Sequence, residues 1–199
     1  MTWDGLTPPY ATIVADPPWR YNSTGAHLRA TKEHRPKSWD WEANNPGAVA
    51  RYSTMSMGEL TALPVYELAA ADAHLYLWTT NAFMVEAHEL ARAWGFKPKT
   101  ILTWVKTRPD DVGRVSSRAG YYFRGATEHV VFAVRGSLPL TTNDILPTAF
   151  LWPRIAHSVK PDAFGDLVEQ ASPGPYVELF ARAPRLGWDS WGKGYEVAS

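Results

Sequence analysis

The chain is predicted to fold as α/β, with a mostly parallel sheet and helices on both faces. Three observations predict this. Apolar runs such as Tyr10-Ala11-Thr12-Ile13-Val14-Ala15 and Tyr176-Val177-Glu178-Leu179-Phe180 are short and nearly continuous, as in strands buried on both faces. Segments with apolar residues at helical spacing alternate with these runs, the pattern of a parallel sheet joined by helical crossovers. Length agrees: 199 residues with 45% hydrophobic content suit one well-filled core, so a single domain over 1–199 is expected.

Residues 10–15 read as the first strand and feed the turn Asp16-Pro17-Pro18-Trp19. The residues that follow, about 20–52, are polar, dotted with Trp and broken by Pro and Gly, which suits a long functional loop. Ser56 and Glu59 have capping-box spacing, so a helical stretch is expected from there to about residue 71, interrupted at Pro64. His74-Leu75-Tyr76-Leu77-Trp78-Thr79 is the second strand. Asn81 can cap a helix over 82–94, where Phe83, Ala87, Leu90, Ala91 and Trp94 share one face and Gly95 provides the stop. Residues 100–105 form the third strand, about 107–125 a polar, basic, glycine-containing loop, and 129–134 the fourth strand. Pro161 suits the start of a helix over 162–171, which Pro173-Gly174 ends, and 176–180 is the fifth strand. Ligands of such sheets bind beyond the carboxyl ends of the strands, which predicts Asp16, Thr79 to Asn81, Lys106 and Arg182 along one rim.

Composition removes several function classes. No run approaches the roughly 18 to 20 apolar residues that span a bilayer. Met1-Thr2-Trp3-Asp4-Gly5 lacks the basic and apolar regions of a secretory signal, so a cytoplasmic protein without a membrane partner is expected. Cysteine is absent and the histidines at 27, 34, 74, 88, 129 and 157 show no paired ligand spacing, so no metal is predicted. A net charge of zero argues against binding nucleic acid over the whole surface. The charge is nevertheless uneven: 20–37 contain five Lys/Arg against one acid and 97–124 seven against two, so these segments carry +9 and the remainder −9. Arg29, Lys32, Arg114 and Arg118 in them are candidate phosphate contacts.

The turn after the first strand carries the chemistry. Asp16-Pro17-Pro18-Trp19 sets a carboxylate, two proline carbonyls and an aromatic plate at a strand end. Prolines have fixed φ and no N–H, which holds their carbonyls still and leaves them outside a sheet ladder. Such a set suits a nucleobase amine, whose lone pair is delocalised into the ring and whose protons must be taken up in hydrogen bonds before it can attack. Asp16 and the Pro17 carbonyl are the acceptors, Pro18 stiffens the turn, and Trp19 can stack on an extruded base. Trp78 and Trp104 read as core aromatics.

Six further segments accompany Ala15-Asp16-Pro17-Pro18-Trp19: Tyr52-Ser53-Thr54-Met55, Leu77-Trp78-Thr79-Thr80-Asn81, Trp104-Val105-Lys106-Thr107, Glu128-His129, His157-Ser158-Val159-Lys160-Pro161 and Glu178-Leu179-Phe180-Ala181-Arg182. In that order, over about residues 10–192, they resemble the MT-A70-like family of S-adenosylmethionine-dependent adenine methyltransferases. The resemblance implies a Rossmann-like class I methyltransferase sheet with permuted motif order, the donor-binding acid lying late in the chain and Asp16 early. By the same resemblance, S-adenosylmethionine is held by Asp16, His157, Ser158, Lys160, Glu178, Leu179, Phe180, Arg182 and the Gly192-Lys193 pair. Tyr21, Tyr52, Asn81 and Lys106 then face the substrate beside Trp19. One departure stands out: Lys193 occupies a position where the family commonly has Asn, replacing an amide that donates and accepts with a donor-only ammonium.

These readings converge on methyl transfer from S-adenosylmethionine to the exocyclic amine of adenine in nucleic acid, with DNA expected ahead of RNA. Specificity is expected to come from short loops or a partner subunit, and the protein partner expected is a second copy in a homodimer or that subunit. The alternative is an inactive nucleic-acid-binding scaffold; intact Asp16 to Trp19 argues against it and Lys193 for it.

Overall fold

The computed structural model describes residues 3–20, 54–117, 123–155 and 159–192. In chain order the elements are β1 (Tyr10–Ala15), α1 (Met57–Thr61), β2 (Ala69–Thr79), α2 (Met84–Ala93), β3 (Lys97–Arg108), β4 (Asp111–Val115), β5 (Thr127–Arg135), β6 (Ala149–Pro153), α3 (Asp162–Ala171), β7 (Tyr176–Leu179) and β8 (Trp188–Trp191). The strands form one sheet in the order β4-β3-β5-β2-β1-β7-β8, with β6 also against β3.

The architecture is α/β and the sheet is mixed. β1 pairs in parallel with β2 and β7, β7 with β8, and β3 with β6, whereas β5 runs antiparallel to both β2 and β3, and β4 is antiparallel to β3. The expectation of a mostly parallel sheet is corrected at β5. A parallel return needs a crossover of a dozen or more residues, usually helical, and no helix separates β3, β4 and β5 among the described residues. The segment expected as a basic loop over 107–125 instead contributes the end of β3 and all of β4. β5 is thereby inserted between β2 and β3, which point the same way.

Period-two alternation sorts the strand side chains into two cores. Ile13 and Ala15 of β1, Leu75 and Leu77 of β2, and Val131 and Ala133 of β5 pack with Leu60 of α1 and Ala87, Leu90 and Ala91 of α2. Val14, Tyr76, Trp78 and Val130 pack instead with Trp104 and with Phe164, Leu167 and Val168 of α3. β1 lies between β2 and β7 and places alternate residues in each core, which is why its sequence is apolar throughout rather than alternating.

Local signals act as read at several points. The Ser56 hydroxyl accepts from the Glu59 N–H and the Glu59 carboxylate accepts from the Ser56 N–H, a complete capping box. The helix it starts is shorter than expected: α1 ends at Thr61, Pro64 begins a 3₁₀ turn over Val65–Glu67, and the chain is already strand at Ala69. α3 matches its expected bounds, with Pro161 as N-cap rather than first-turn residue. Asn81 opens a 3₁₀ turn, Asn81–Phe83, and α2 begins only at Met84, so Asn81 is not its cap.

Register fixes what meets at the rim. Ala15 stands opposite Leu77 and Leu179, which brings the ends of β1, β2 and β7 level. Thr79 stands opposite His129 and Trp104 opposite Glu128, so the beginning of β5 and the end of β3 reach the same edge. No helix among the described residues is long and apolar enough to cross a membrane.

Candidate active site

Asp16 leaves β1 at this rim with its backbone N–H donating to the Leu179 carbonyl, 3.3 Å away. Its Oδ2 lies 3.0 Å from Lys160 Nζ and 3.8 Å from an Arg182 guanidinium nitrogen. Lys160 precedes α3 and is 20% exposed, and its Nζ is also 3.0 Å from Glu128 Oε2 and 4.9 Å from the centre of the Trp78 ring. Glu128, near the start of β5, takes Lys106 Nζ on its other oxygen at 2.5 Å. Asp16, Lys160, Glu128 and Lys106 therefore form a chain of alternating charge across three strands and the segment before α3.

The electrostatics follow from that alternation. Burial tends to lower the Lys160 pKa, but the Asp16 and Glu128 carboxylates overcome it and leave the ammonium above the usual lysine range. Burial likewise tends to raise Glu128, and here Lys160 and Lys106 prevail and hold the carboxyl below the usual range. Glu178 goes the other way. Burial, reinforced by the Asp16 charge and only partly opposed by Lys160, Arg185 and Arg182, pushes it up to about 7. Glu178 stands at the end of β7, and no ion pair joins its carboxyl to another described residue.

The turn Asp16 to Trp19 differs from expectation in two respects. The proline carbonyls are not free of backbone donors: Pro17 O accepts from the Trp19 N–H at 2.8 Å and Pro18 O from the Met55 N–H at 2.9 Å. Each carbonyl has two lone pairs, so one further acceptance remains open. The Trp19 ring is 8% exposed, stacks on Phe83 with centroids 5.3 Å apart, and donates from Nε1 to the Trp78 carbonyl at 3.1 Å. It is a buried ring here, not the open base plate expected from the sequence.

Other candidates separate clearly. The Asn81 side chain bonds His129 Nε2, on the strand face opposite that of its neighbour Glu128, while His129 Nδ1 meets the Thr103 hydroxyl at 3.1 Å. Burial lowers the His129 pKa, consistent with a neutral ring serving as both donor and acceptor. Lys106, expected on the substrate side, is engaged with Glu128. Phe180, just past Glu178, has φ 63°, a left-handed conformation that is strained for an aromatic residue. Gly192 passes against this turn so closely that a Cβ would lie 2.7 Å from the Ala181 carbonyl oxygen, so packing alone requires glycine there. Arg114 lines a polar cavity of about 320 Å³ with Arg108, Arg124, Ser116 and Ser117, a lining that does not include Asp16. Tyr21, Arg29, Lys32, Tyr52, Arg118, His157, Ser158 and Lys193 lie outside the described residues.

Glu128 is the member of the charge chain that reasoning from strand ends passes over. Its signal was present as the pair Glu128-His129, but the rim rule looks to the carboxyl ends of parallel strands and Glu128 stands near the start of an antiparallel one.

Comparison with known proteins supplies the family. The chain is 31% identical over 186 residues to the Type II methyltransferase M.MunI of Mycoplasma sp, covering 92% of this chain and 76% of that protein. It is 29% identical over 177 residues to a Drosophila melanogaster N(6)-adenosine-methyltransferase MT-A70-like protein, covering 87% of this chain and 24% of that one. It is 27% identical over 177 residues to the human N(6)-adenosine-methyltransferase catalytic subunit METTL3, covering 87% and 26%. The chain thus spans about a quarter of these two animal relatives and three quarters of the Mycoplasma one. The MT-A70 family model matches residues 10–194, and with Asp16, Lys160, Glu178 and Arg182 all inside that match, the chain belongs to the MT-A70 family.

Proposed function

We propose that the chain transfers a methyl group from S-adenosylmethionine to the exocyclic N6 amine of adenine in nucleic acid, with DNA favoured over RNA. The observation that carries this reading is Asp16, held at the end of β1 by Lys160 and Arg182 in a chain of the MT-A70 family. DNA is favoured because the chain spans most of a bacterial Type II methyltransferase and only a quarter of the two animal adenosine methyltransferases.

The residues at the rim fit the proposed donor. S-adenosylmethionine carries an ammonium group and ribose hydroxyls, which need acceptors, and a carboxylate, which needs cations. Asp16 and Glu178 end neighbouring strands and supply the acceptors. Arg182 and Lys160 supply the cations. We assign donor binding to Asp16, Lys160, Glu178, Leu179, Phe180 and Arg182, with His157, Ser158, Gly192 and Lys193 completing it. When bound, the donor supplies an activated sulfonium methyl group.

What remains for the protein is positioning and electrostatics. Asp16 accepts a hydrogen bond from the adenine amine as positive charge develops on nitrogen, and Pro17 O offers its second lone pair to the other amine proton. Both closest cation approaches to Asp16 fall on Oδ2, and a carboxylate has about four lone-pair sites, so acceptor capacity remains. Tyr21, Tyr52 and Asn81 are assigned to the substrate side, and Arg29, Lys32, Arg114 and Arg118 to phosphates. The fold reading that accompanies this is one Rossmann-like domain with permuted motifs and helices on both faces, acting as a homodimer or with a partner subunit.

A labelled methyl-donor assay over single- and double-stranded DNA and RNA, followed by nucleoside analysis, tests the reading. N6-methyladenine in a DNA substrate is the expected product, and absence of label in every adenine-containing substrate would sink the proposal. An inactive scaffold would bind nucleic acid but not S-adenosylmethionine, which calorimetry separates.

A further inference from the structure

Glu128 stands in the middle of the alternating charge chain and belongs to no group assigned to donor or substrate. Its side chain is 17% exposed, with Lys160 Nζ 3.0 Å from one oxygen and Lys106 Nζ bonded to the other. Lys160 Nζ is in turn 3.0 Å from Asp16 Oδ2, so one ammonium group is shared between two carboxylates. Trp78 beneath Lys160 and Trp104 beneath Lys106, each 4.9 Å from the ammonium nitrogen, restrict where the two lysines can sit.

Sharing has a chemical consequence for Asp16. A carboxylate that must accept from a weakly acidic amine is a poorer acceptor the more completely a cation neutralises it. If Glu128 lost its charge, Lys160 would keep Asp16 as its one ion-pair partner among the described residues and would be drawn onto it. If Glu128 were present without Lys106, it would pull harder on Lys160. The pair Lys106–Glu128 therefore sets how far Lys160 stands from Asp16.

We propose that Glu128 is a positioning residue for methyl transfer, acting through Lys160 to keep the ammonium group divided so that Asp16 retains acceptor strength toward the adenine amine. This rests on the adenine methyltransferase reading above. The role differs from that of a structural ion pair, which would change stability and leave turnover per folded molecule unaffected. It also explains why the carboxyl is built into the sheet register opposite Trp104 rather than left on a loop: a strand position fixes its distance to both lysines.

The test is a kinetic cycle on the full chain using S-adenosylmethionine and an adenine-containing DNA duplex, with E128Q, E128D, K160M and the double variant E128Q/K160M. E128Q should lower kcat at least about tenfold while changing KM for DNA less than about threefold, and E128D, which keeps the charge, should recover part of that activity. In the K160M background, E128Q should change kcat by less than about twofold, because the residue through which it acts is gone. Each rate is taken per folded molecule, established by circular dichroism. If E128Q does not fold, E128A against E128A/K160M is read by the same criteria. An active wild type with E128Q within about twofold of it, or effects that multiply in the double variant, overturns this inference and leaves the methyltransferase reading standing. A wild type that methylates no adenine overturns both.

Discussion

Replacing Glu178 with Gln should stabilise the folded protein at pH 8 and weaken binding of S-adenosylmethionine, two effects of opposite sign from one substitution. Burial and then the nearby Asp16 charge push Glu178 from the ordinary 4.5 up to about 7. At about 1.4 kcal/mol per pH unit, holding this carboxyl ionised in the folded state costs at most about 3 kcal/mol. The sign follows from proton counting. Between about pH 4.5 and 7 the folded state keeps a proton that the unfolded state has lost, so stability falls as pH rises through that window and levels off above it. Glutamine imitates the protonated form. Its advantage should be small near pH 4.5 and approach about 1 to 3 kcal/mol at pH 8, allowing for the partial exposure of the site.

Urea unfolding of wild type and E178Q at pH 5 and pH 8 reads the stability arm, and calorimetric titration with S-adenosylmethionine reads the other. Removing a charged acceptor should weaken donor binding by about 1.5 to 3 kcal/mol. In the wild type, donor hydroxyls and ammonium select the ionised carboxyl, so affinity should rise as pH passes through about 7 and then level off. A stability gain no larger at pH 8 than at pH 5 would refute the electrostatic argument. Donor affinity that is flat from pH 6 to 8, and unchanged in E178Q, would remove Glu178 from the donor site.

The remaining expectations concern the other charges. Asp16→Ala should leave the fold intact and lower methyl transfer at least about a hundredfold, and activity within a fewfold of wild type would end its catalytic assignment. Lys160→Ala leaves the Asp16 and Glu128 carboxylates without their shared counter-ion, so it should cost about 3 kcal/mol in chemical denaturation at pH 7.5 as well as weakening donor binding; unchanged stability would mean the two pairs contribute little. Replacing Arg29, Lys32, Arg114 and Arg118 together with Ala should reduce the log–log salt slope of nucleic-acid binding by about 0.7 to 0.9 for each phosphate that is no longer neutralised. A wild-type slope in that variant would move the nucleic-acid surface elsewhere.

What the sequence made legible was whatever depends on short-range pattern. The capping box at Ser56 and Glu59, the helix Asp162–Ala171 and the apolar run of β1 are each set within a few residues, and each forms where the pattern says. β4, β6 and β8 were not legible. β4 is exposed along its whole length, so no burial pattern marks it, and β6 and β8 are short and at most partly buried. Their strand character comes from the neighbour they pair with, which no local signal records. The reversed direction of β5 is of the same kind, since it depends on the connection that precedes it rather than on its own residues.

The candidate site divides along the same line. Asp16 announces itself because proline fixes its surroundings, whereas Glu178 is reached only through the family resemblance. Lys160 enters as a donor contact only through the family resemblance, and its surroundings are two carboxylates and an indole from β1, β5 and β2, brought there only by the sheet. Beside a polar turn Trp19 reads as an exposed plate, and packing against Phe83, far along the chain, buries it. In both cases the side chain's role is decided by partners distant in sequence. Charge alternation among Asp16, Lys160, Glu128 and Lys106 is thus a property of the register, and a one-residue slip of β5 against β3 would turn Glu128 to the other face and leave Lys160 with Asp16 alone. In the proposed reading, it is the register of an antiparallel insertion, rather than any motif, that governs how strongly the acid at the end of β1 accepts from the adenine amine.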